Sequence, residues 1–207
     1  AVKVVHLDNR DHSLLAYGHT LIPAGVIEKS VVKDSARLAA IVTEVLTACQ
    51  LPSPLTDAVI GSIPESQSFL RVIEIPMMAA DEVSEAIHWE VAQHIPFGLE
   101  NVYIDWQPLI GGHTPASGRQ EVLVGAAQKK VVDSLVEVLQ TLNLDVAALE
   151  LESQAIVRSL ISPELRARQG LLIIDLGSSG TNVVIHDHGT IRFTASEGVP
   201  ASPVPGV

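Results

Sequence analysis

Apolar positions along this chain change period several times, and each change marks a predicted element. Residues 2–7, 13–21 and 26–32 are short β-prone runs separated by Asn9-Arg10-Asp11 and Pro23-Ala24-Gly25, which are turn chemistry, so three strands in succession are predicted. After Asp34, suited to an N-cap, Leu38, Ile41, Val42, Val45, Leu46 and Cys49 share one helical face until Pro52 ends the pattern. Residues 58–63 and 69–75 predict two more strands, bounded by Pro64 and Pro76. A helix is predicted over 81–94, with Val83, Ile87 and Val91 on one side and Pro96 just past its end.

Val102, Ile104 and Trp106 alternate with Tyr103, Asp105 and Gln107, the period of a strand with one face buried. Residues 111–119 are rich in Gly, Pro, Ser and Thr and read as an exposed hairpin loop. A strand at 121–127 precedes a helix at 129–142, whose core face is Val131, Leu135, Val138, Leu139 and Leu142. A strand at 145–149, a helix at 152–161 and a buried strand at 170–176 follow, and residues 181–186 and 190–195 pair as a hairpin around Asp187-His188-Gly189. Beyond Ser196, Pro200, Pro203 and Pro205 among small residues read as a tail or linker. No internal repeat is visible, and alternating strands and helices favour α/β layers over an all-β sandwich.

Composition narrows the partners. At 207 residues with 47% apolar positions the chain is long enough to bury a sizeable core. Its 13 Lys and Arg stand against 24 Asp and Glu, a formal charge of -11, so its field repels a phosphate backbone and nucleic acid is not an expected partner. The lone Cys49 permits no intrachain disulfide and suits a reducing compartment. Apolar runs such as residues 171–174 are strand-sized, far below the roughly 20 residues that cross a bilayer, and residues 1–7 lack the apolar core of a signal peptide, so the chain reads as cytoplasmic.

One segment carries candidate chemistry. Residues 173–184, Ile-Ile-Asp-Leu-Gly-Ser-Ser-Gly-Thr-Asn-Val-Val, place Asp175 at the end of a strand, then a loop of small residues, then a second strand. Backbone N–H groups approach a phosphate closely only where side chains stand clear, which Gly177, Ser178, Ser179, Gly180 and Thr181 allow, and Asp175 would reach a metal ion through water. The alternative is a tight hairpin in which the same residues serve only the turn. A Ser nucleophile elbow fits less well, because this loop leads into a strand, and a P-loop fails because no Lys follows the glycines. His186 and His188 bracket a turn without an accompanying Cys and read as surface hairpin, not metal ligands. His88 and His94 do not share a helical face and read as polar-face residues. Trp89 and Phe97 could flank a peptide groove, although core packing is the expected role of each.

The loop resembles the second phosphate-binding hairpin of the actin, Hsp70 and sugar kinase superfamily, and residues 145–160 resemble its connecting strand and helix at the hinge. Three stretches look specifically like the PilM family of type IV pilus assembly proteins: Leu-Ile-Pro-Ala-Gly-Val-Ile-Glu-Lys at 21–29, Glu-Val-Ala-Gln-His-Ile-Pro-Phe at 90–97 and Val-Ala-Ala-Leu-Glu-Leu-Glu at 146–152. The similarity runs in order from residue 1 to about Ala195.

This resemblance implies an actin-like (ribonuclease H-like) α/β ATPase fold, in part. Residues 1–57 and 121–168 would form a first large subdomain and its hinge. Residues 58–120 would form a small inserted α+β subdomain, as in PilM and FtsA, budding from the main sheet. Residues 169–196 would open a second large subdomain, and 197–207 would be a Pro-rich tail. The family's first phosphate hairpin, Gly-Ile-Asp-Ile-Gly-Ser-like, is not found before the segment matching residues 1–7, and the half with the adenine pocket is not found after Glu197.

ATP and Mg are implied for the full-length parent, whose hydrolysis of ATP stays open, while half a phosphate clamp is expected to bind nucleotide poorly and to be inactive. By superfamily register Glu150 would polarise water, with Glu152 and then Gln154 as alternatives; the same residues could instead be solvated or capping groups at a helix start. The implied role is a cytoplasmic scaffold peripheral to the bacterial inner membrane, reaching the membrane only through its partner. That partner is the N-terminal cytoplasmic tail of PilN, alongside other platform proteins and with room for homo-oligomers. An FtsA-like filament protein, a type II secretion platform domain, or an ATPase or kinase of the superfamily are the rival readings.

Overall fold

The computed structural model describes residues 1–8, 10–50, 58–95, 97–109, 118–168, 170–177 and 180–198. In chain order the strands are β1 Val2–Leu7, β2 Leu14–Thr20, β3 Ile27–Glu28, β4 Val31–Val32, β5 Val59–Ile63, β6 Ser68–Pro76, β7 Val102–Pro108, β8 Arg119–Gln128, β9 Val146–Leu151, β10 Leu171–Leu176, β11 Thr181–Asp187 and β12 Thr190–Glu197. The α-helices are α1 Ser35–Ala48, α2 Ala80–Val91, α3 Lys129–Thr141, α4 Glu152–Leu160 and α5 Pro163–Arg168. Two compact units result, residues 1–61 with 130–149, and residues 62–129 with 150 onward.

In the first unit, β1 and β2 pair antiparallel with Val5 opposite Tyr17. Asp8 Oδ1 accepts from the N–H of Arg10 at 2.7 Å and Asp11 Oδ1 from that of Ser13 at 2.9 Å, so the turn between the strands is held by short acidic side chains. Asp34 caps α1 as its sequence predicts, its Oδ1 accepting from the N–H of Arg37 at 2.8 Å. Helix α1 lies so close to β2 that a Cβ on Gly18 would overlap Cys49 Sγ and stand 3.0 Å from Val45 Cγ1. Val26, Leu38, Ala39, Val42 and Val138 form this unit's core. Residues 26–32 are not one strand: Lys29 (φ 48°) and Ser30 (φ 63°) are left-handed and fold the run into the short β3–β4 hairpin. Two adjacent non-glycine residues in that region are uncommon, which is why the sequence did not announce the turn.

The second unit carries a six-stranded sheet in the order β10-β11-β12-β6-β8-β7, antiparallel at every step. Helix α2 covers one face of β6, β8 and β7. Ile87 and Val91 are fully buried against a cluster that includes Ile73, Ile75, Val102, Val122 and Val124. The 3.6-residue period of α2 meets the two-residue period of β7, in which Val102 is buried while Tyr103 and Asp105 face solvent.

Several boundaries differ from the sequence reading. The division at residue 120 falls inside β8, and β6 is joined to β12 with Arg71 opposite Phe193, so β6, β7 and β8 share a sheet with residues 171–197, which β5 does not join. Helix α2 gives way to turns at 92–94 instead of running through His94. Helix α5 went unread, although Ser162-Pro163 is a cap followed by Pro at the first helical position, and Ser162 Oγ accepts from the N–H of Leu165 at 3.3 Å. Pro52, Pro96, most of the 111–119 loop and the Pro-rich tail lie outside the described residues.

Candidate functional site

The site residues meet where β10 turns into β11. Asp175 is opposite Asn182 and Leu176 opposite Thr181, and the Gly177 N–H closes the loop on the Gly180 carbonyl at 2.9 Å. Crowding requires Gly180, on which a Cβ would stand 2.7 Å from the Glu197 carbonyl oxygen, while a Cβ on Gly177 would be a tight 3.0 Å from the Gly180 carbonyl oxygen. Ser178 and Ser179, between them, lie outside the described residues. Strand β10 is an edge strand, and contrary to its reading as a buried strand only one face is covered. Leu172, Ile174 and Leu176 are exposed, whereas Ile173 and Asp175 on the opposite face are half-buried. An apolar run signals a fully covered strand only if other elements flank both faces.

Glu152 comes to the same place from the start of α4. Its Oε2 accepts from Asn182 Nδ2 at 3.5 Å and from the Glu65 backbone N–H at 3.4 Å, while Asn182 Nδ2 also donates to Asp175 Oδ2 at 3.2 Å. One amide thus ties Asp175 at the end of β10 to Glu152 at the start of α4. The first turn of α4 favours a carboxylate there through its unpaired N–H groups. Glu150 goes elsewhere: it lies in β9 and takes the guanidinium of Arg158. Gln154 is half-buried on α4. Of the three candidates for a water-polarising role, the structure brings Glu152 alone to Asp175 by a hydrogen-bond link.

Asn182 and Glu65 were not singled out by sequence. Asn182 sat within the quoted motif, two residues after Gly180, and its register opposite Asp175 was the available signal. Glu65 reaches the site only through a contact 87 positions away in sequence, and nothing local marks it.

Of the histidines and aromatics singled out by sequence, His186 and Trp89 depart from expectation. His186 is buried, not a surface residue, and its Nδ1 has no hydrogen-bond partner among the described residues. Burial, then the nearby Arg166 guanidinium, holds its pKa below the ordinary 6.5. His188 pairs with Asp187 at 2.7 Å, which keeps the Asp187 carboxyl below its usual range. His88 and His94 are exposed on α2 and the turns after it. Phe97 packs against the α2 core as expected, but Trp89 is 73% exposed and does not. Among the described residues no three His, Cys, Asp or Glu side chains are grouped to hold a metal ion directly. No helix among them is long and apolar enough to cross a membrane.

This mixed α/β chain has the actin-like ATPase fold, which its structural neighbours share. A family model described as type IV pilus assembly protein PilM matches residues 1–198, and the chain belongs to that family. It is similar to the solved PilM-PilN type IV pilus biogenesis complex, at 25% identity and a TM-score of 0.81, covering 96% of this chain and 58% of that one. It is also similar to the cytoplasmic domain of EpsL, an inner membrane component of the type II secretion system of Vibrio cholerae. That likeness, at 14% identity, a TM-score of 0.58 and coverage of 93% and 64%, shows shared fold alone. The chain therefore spans less than two thirds of the length of either structure.

Proposed function

We propose that this chain is the partner-binding part of a cytoplasmic scaffold in the inner-membrane platform of the type IV pilus, that it binds the N-terminal tail of PilN, and that the full-length protein also binds ATP with Mg. The likeness to the PilM-PilN complex over nearly the whole chain carries this reading. The acidic balance suits a protein-binding scaffold and opposes a nucleic-acid partner.

The phosphate-loop residues fit a nucleotide in one respect and fall short in another. Gly177 and Gly180 carry no side chain to stand over their own N–H groups, and together with Ser178, Ser179 and Thr181 they are the residues we assign to phosphate oxygens. Asp175 and Glu152, tied by Asn182, would order the water shell of a magnesium ion, because two carboxylates are too few to enclose it and Mg keeps several waters. A single hairpin leaves much of a triphosphate's charge unmatched, so strong nucleotide binding belongs to the full-length protein.

Glu152 also suggests how the two activities communicate. Its carboxylate joins Asn182 of the phosphate hairpin to the backbone at Glu65, just ahead of β6, so a nucleotide that draws on Asp175 and Glu152 would loosen or tighten that segment. Titration calorimetry of a synthetic PilN tail peptide against this chain is expected to show saturable binding. No heat of binding at high micromolar peptide would refute the scaffold reading. In the full-length protein Asp175→Ala is expected to weaken Mg-ATP binding by tenfold or more, and unchanged affinity would remove Asp175 from the nucleotide site.

A further inference from the structure

A cavity of about 230 Å³ opens between the 3-10 turn Glu65–Gln67, the start of β6 and the end of β12. Glu65, Ser66, Phe69, Phe97, Thr194 and Ser196 line it. Pockets for whole small molecules run to roughly 300–1,000 Å³, so this one suits a single side chain. Its walls pair two aromatic rings with hydroxyls, and Glu65 is only 4% exposed, its Oε2 without a hydrogen-bond partner among the described residues. Two of the lining hydroxyls are engaged: Ser68 Oγ donates to the Glu65 carbonyl at 3.3 Å, and Thr194 Oγ1 donates to the Leu70 carbonyl at 3.4 Å. A buried carboxylate oxygen without a donor is costly, and a cationic donor is what it lacks.

We propose that this pocket receives an arginine side chain of a partner polypeptide, with the Glu65 carboxylate as its counter-charge. Guanidinium fits better than ammonium because it is planar, weakly hydrated and stacks on aromatic faces. The same corner of the sheet already holds such a stack, Arg71 lying 5.8 Å from the Phe69 ring centre and 5.5 Å from that of Phe193. The net charge of -11 draws a basic segment toward the chain. Nothing in the pocket depends on PilN being the partner.

The test is an amide NMR titration of the 207-residue chain with N-acetyl-arginine methylamide and its neutral isostere, N-acetyl-citrulline methylamide. At physiological ionic strength general charge attraction is screened beyond about 8 Å. The arginine probe is expected to shift the Ser66 and Ser196 amides saturably and to bind roughly tenfold or more tighter than the citrulline probe. In Glu65→Gln the two probes are expected to bind equally. Should that variant fail to fold, Ser66→Leu fills the cavity and is expected to abolish binding of both. Absence of saturable shifts, an arginine preference that survives Glu65→Gln, or binding untouched by Ser66→Leu would each overturn the assignment.

Discussion

His186 shows how far a single side chain can depart from what its neighbours in sequence suggest. It stands two positions from His188, yet it is buried while His188 is half in solvent, because β11 ends at Asp187 and His188 lies in the turn beyond it with a left-handed backbone (φ 49°). The groups around it are Arg166 from α5, Arg192 from β12 and its neighbour Asp187. Two guanidiniums and burial disfavour the imidazolium, so the folded pKa lies below the unfolded 6.5. Between those two values the unfolded chain binds the extra proton and the folded chain does not. Stability is therefore expected to be full above pH 6.5 and to fall as the pH drops from there towards the folded value. Chemical denaturation followed from pH 8 to 5 checks this, and His186→Leu is expected to flatten part of that slope. A wild-type slope unchanged by the substitution would assign it to other groups. Asp175 and Glu152 tell the complementary story, since their residue types and positions were readable but the amide that joins them was not.

At the scale of elements, the meeting of β6, β8 and β12 stores an electrostatic conflict and its resolution. Glu74 and Glu121 are directly opposite on paired strands, a placement that like charges disfavour. Each has its own arginine: Arg119 Nε lies 3.2 Å from Glu74 Oε2, and Arg192 Nη1 donates to Glu121 Oε1 at 2.7 Å. The first pair is exposed and contributes little. The second is largely buried, and removing Arg192 would leave Glu121 charged beside Glu74 without compensation. Arg192→Ala is expected to destabilise the chain by about 3–5 kcal/mol, and Arg119→Ala by less than about 1 kcal/mol, both read from urea midpoints. Equal effects would show that the buried pair does not hold β12 to the sheet. Strand periods revealed each of these elements within a residue or two, but the order in which the strands pair was not readable. Arg71 opposite Phe193 joins positions 122 apart, and no local pattern encodes such a choice of neighbour.

For the whole molecule, the notable property is apolar surface left uncovered on separate sheets. Val5, Leu7, Leu14 and Tyr17 are exposed on β1 and β2, and Leu172, Ile174 and Leu176 on β10. Contiguous apolar faces of this kind promote association. The isolated chain is expected to bind a hydrophobic dye and to self-associate with rising concentration, and Leu172→Gln with Ile174→Thr is expected to reduce both. Sedimentation velocity checks it; a monomer at all concentrations would count against the β10 face as an adhesive surface. The α/β class, the cap at Asp34, the helical stripe of α1 and the loop around Gly177 followed from the sequence alone, because propensity, period and turn chemistry act over a few residues, and the family followed from the resemblance of residues 21–29, 90–97 and 146–152. Only the tertiary structure chose Glu152 over Glu150 as the residue linked through Asn182 to Asp175, buried His186, bared Trp89 and β10, and left Glu65 Oε2 buried without a hydrogen-bond partner among the described residues. Those outcomes depend on which distant segments come to lie against a side chain, and the contacts that decide them are made only when the chain folds.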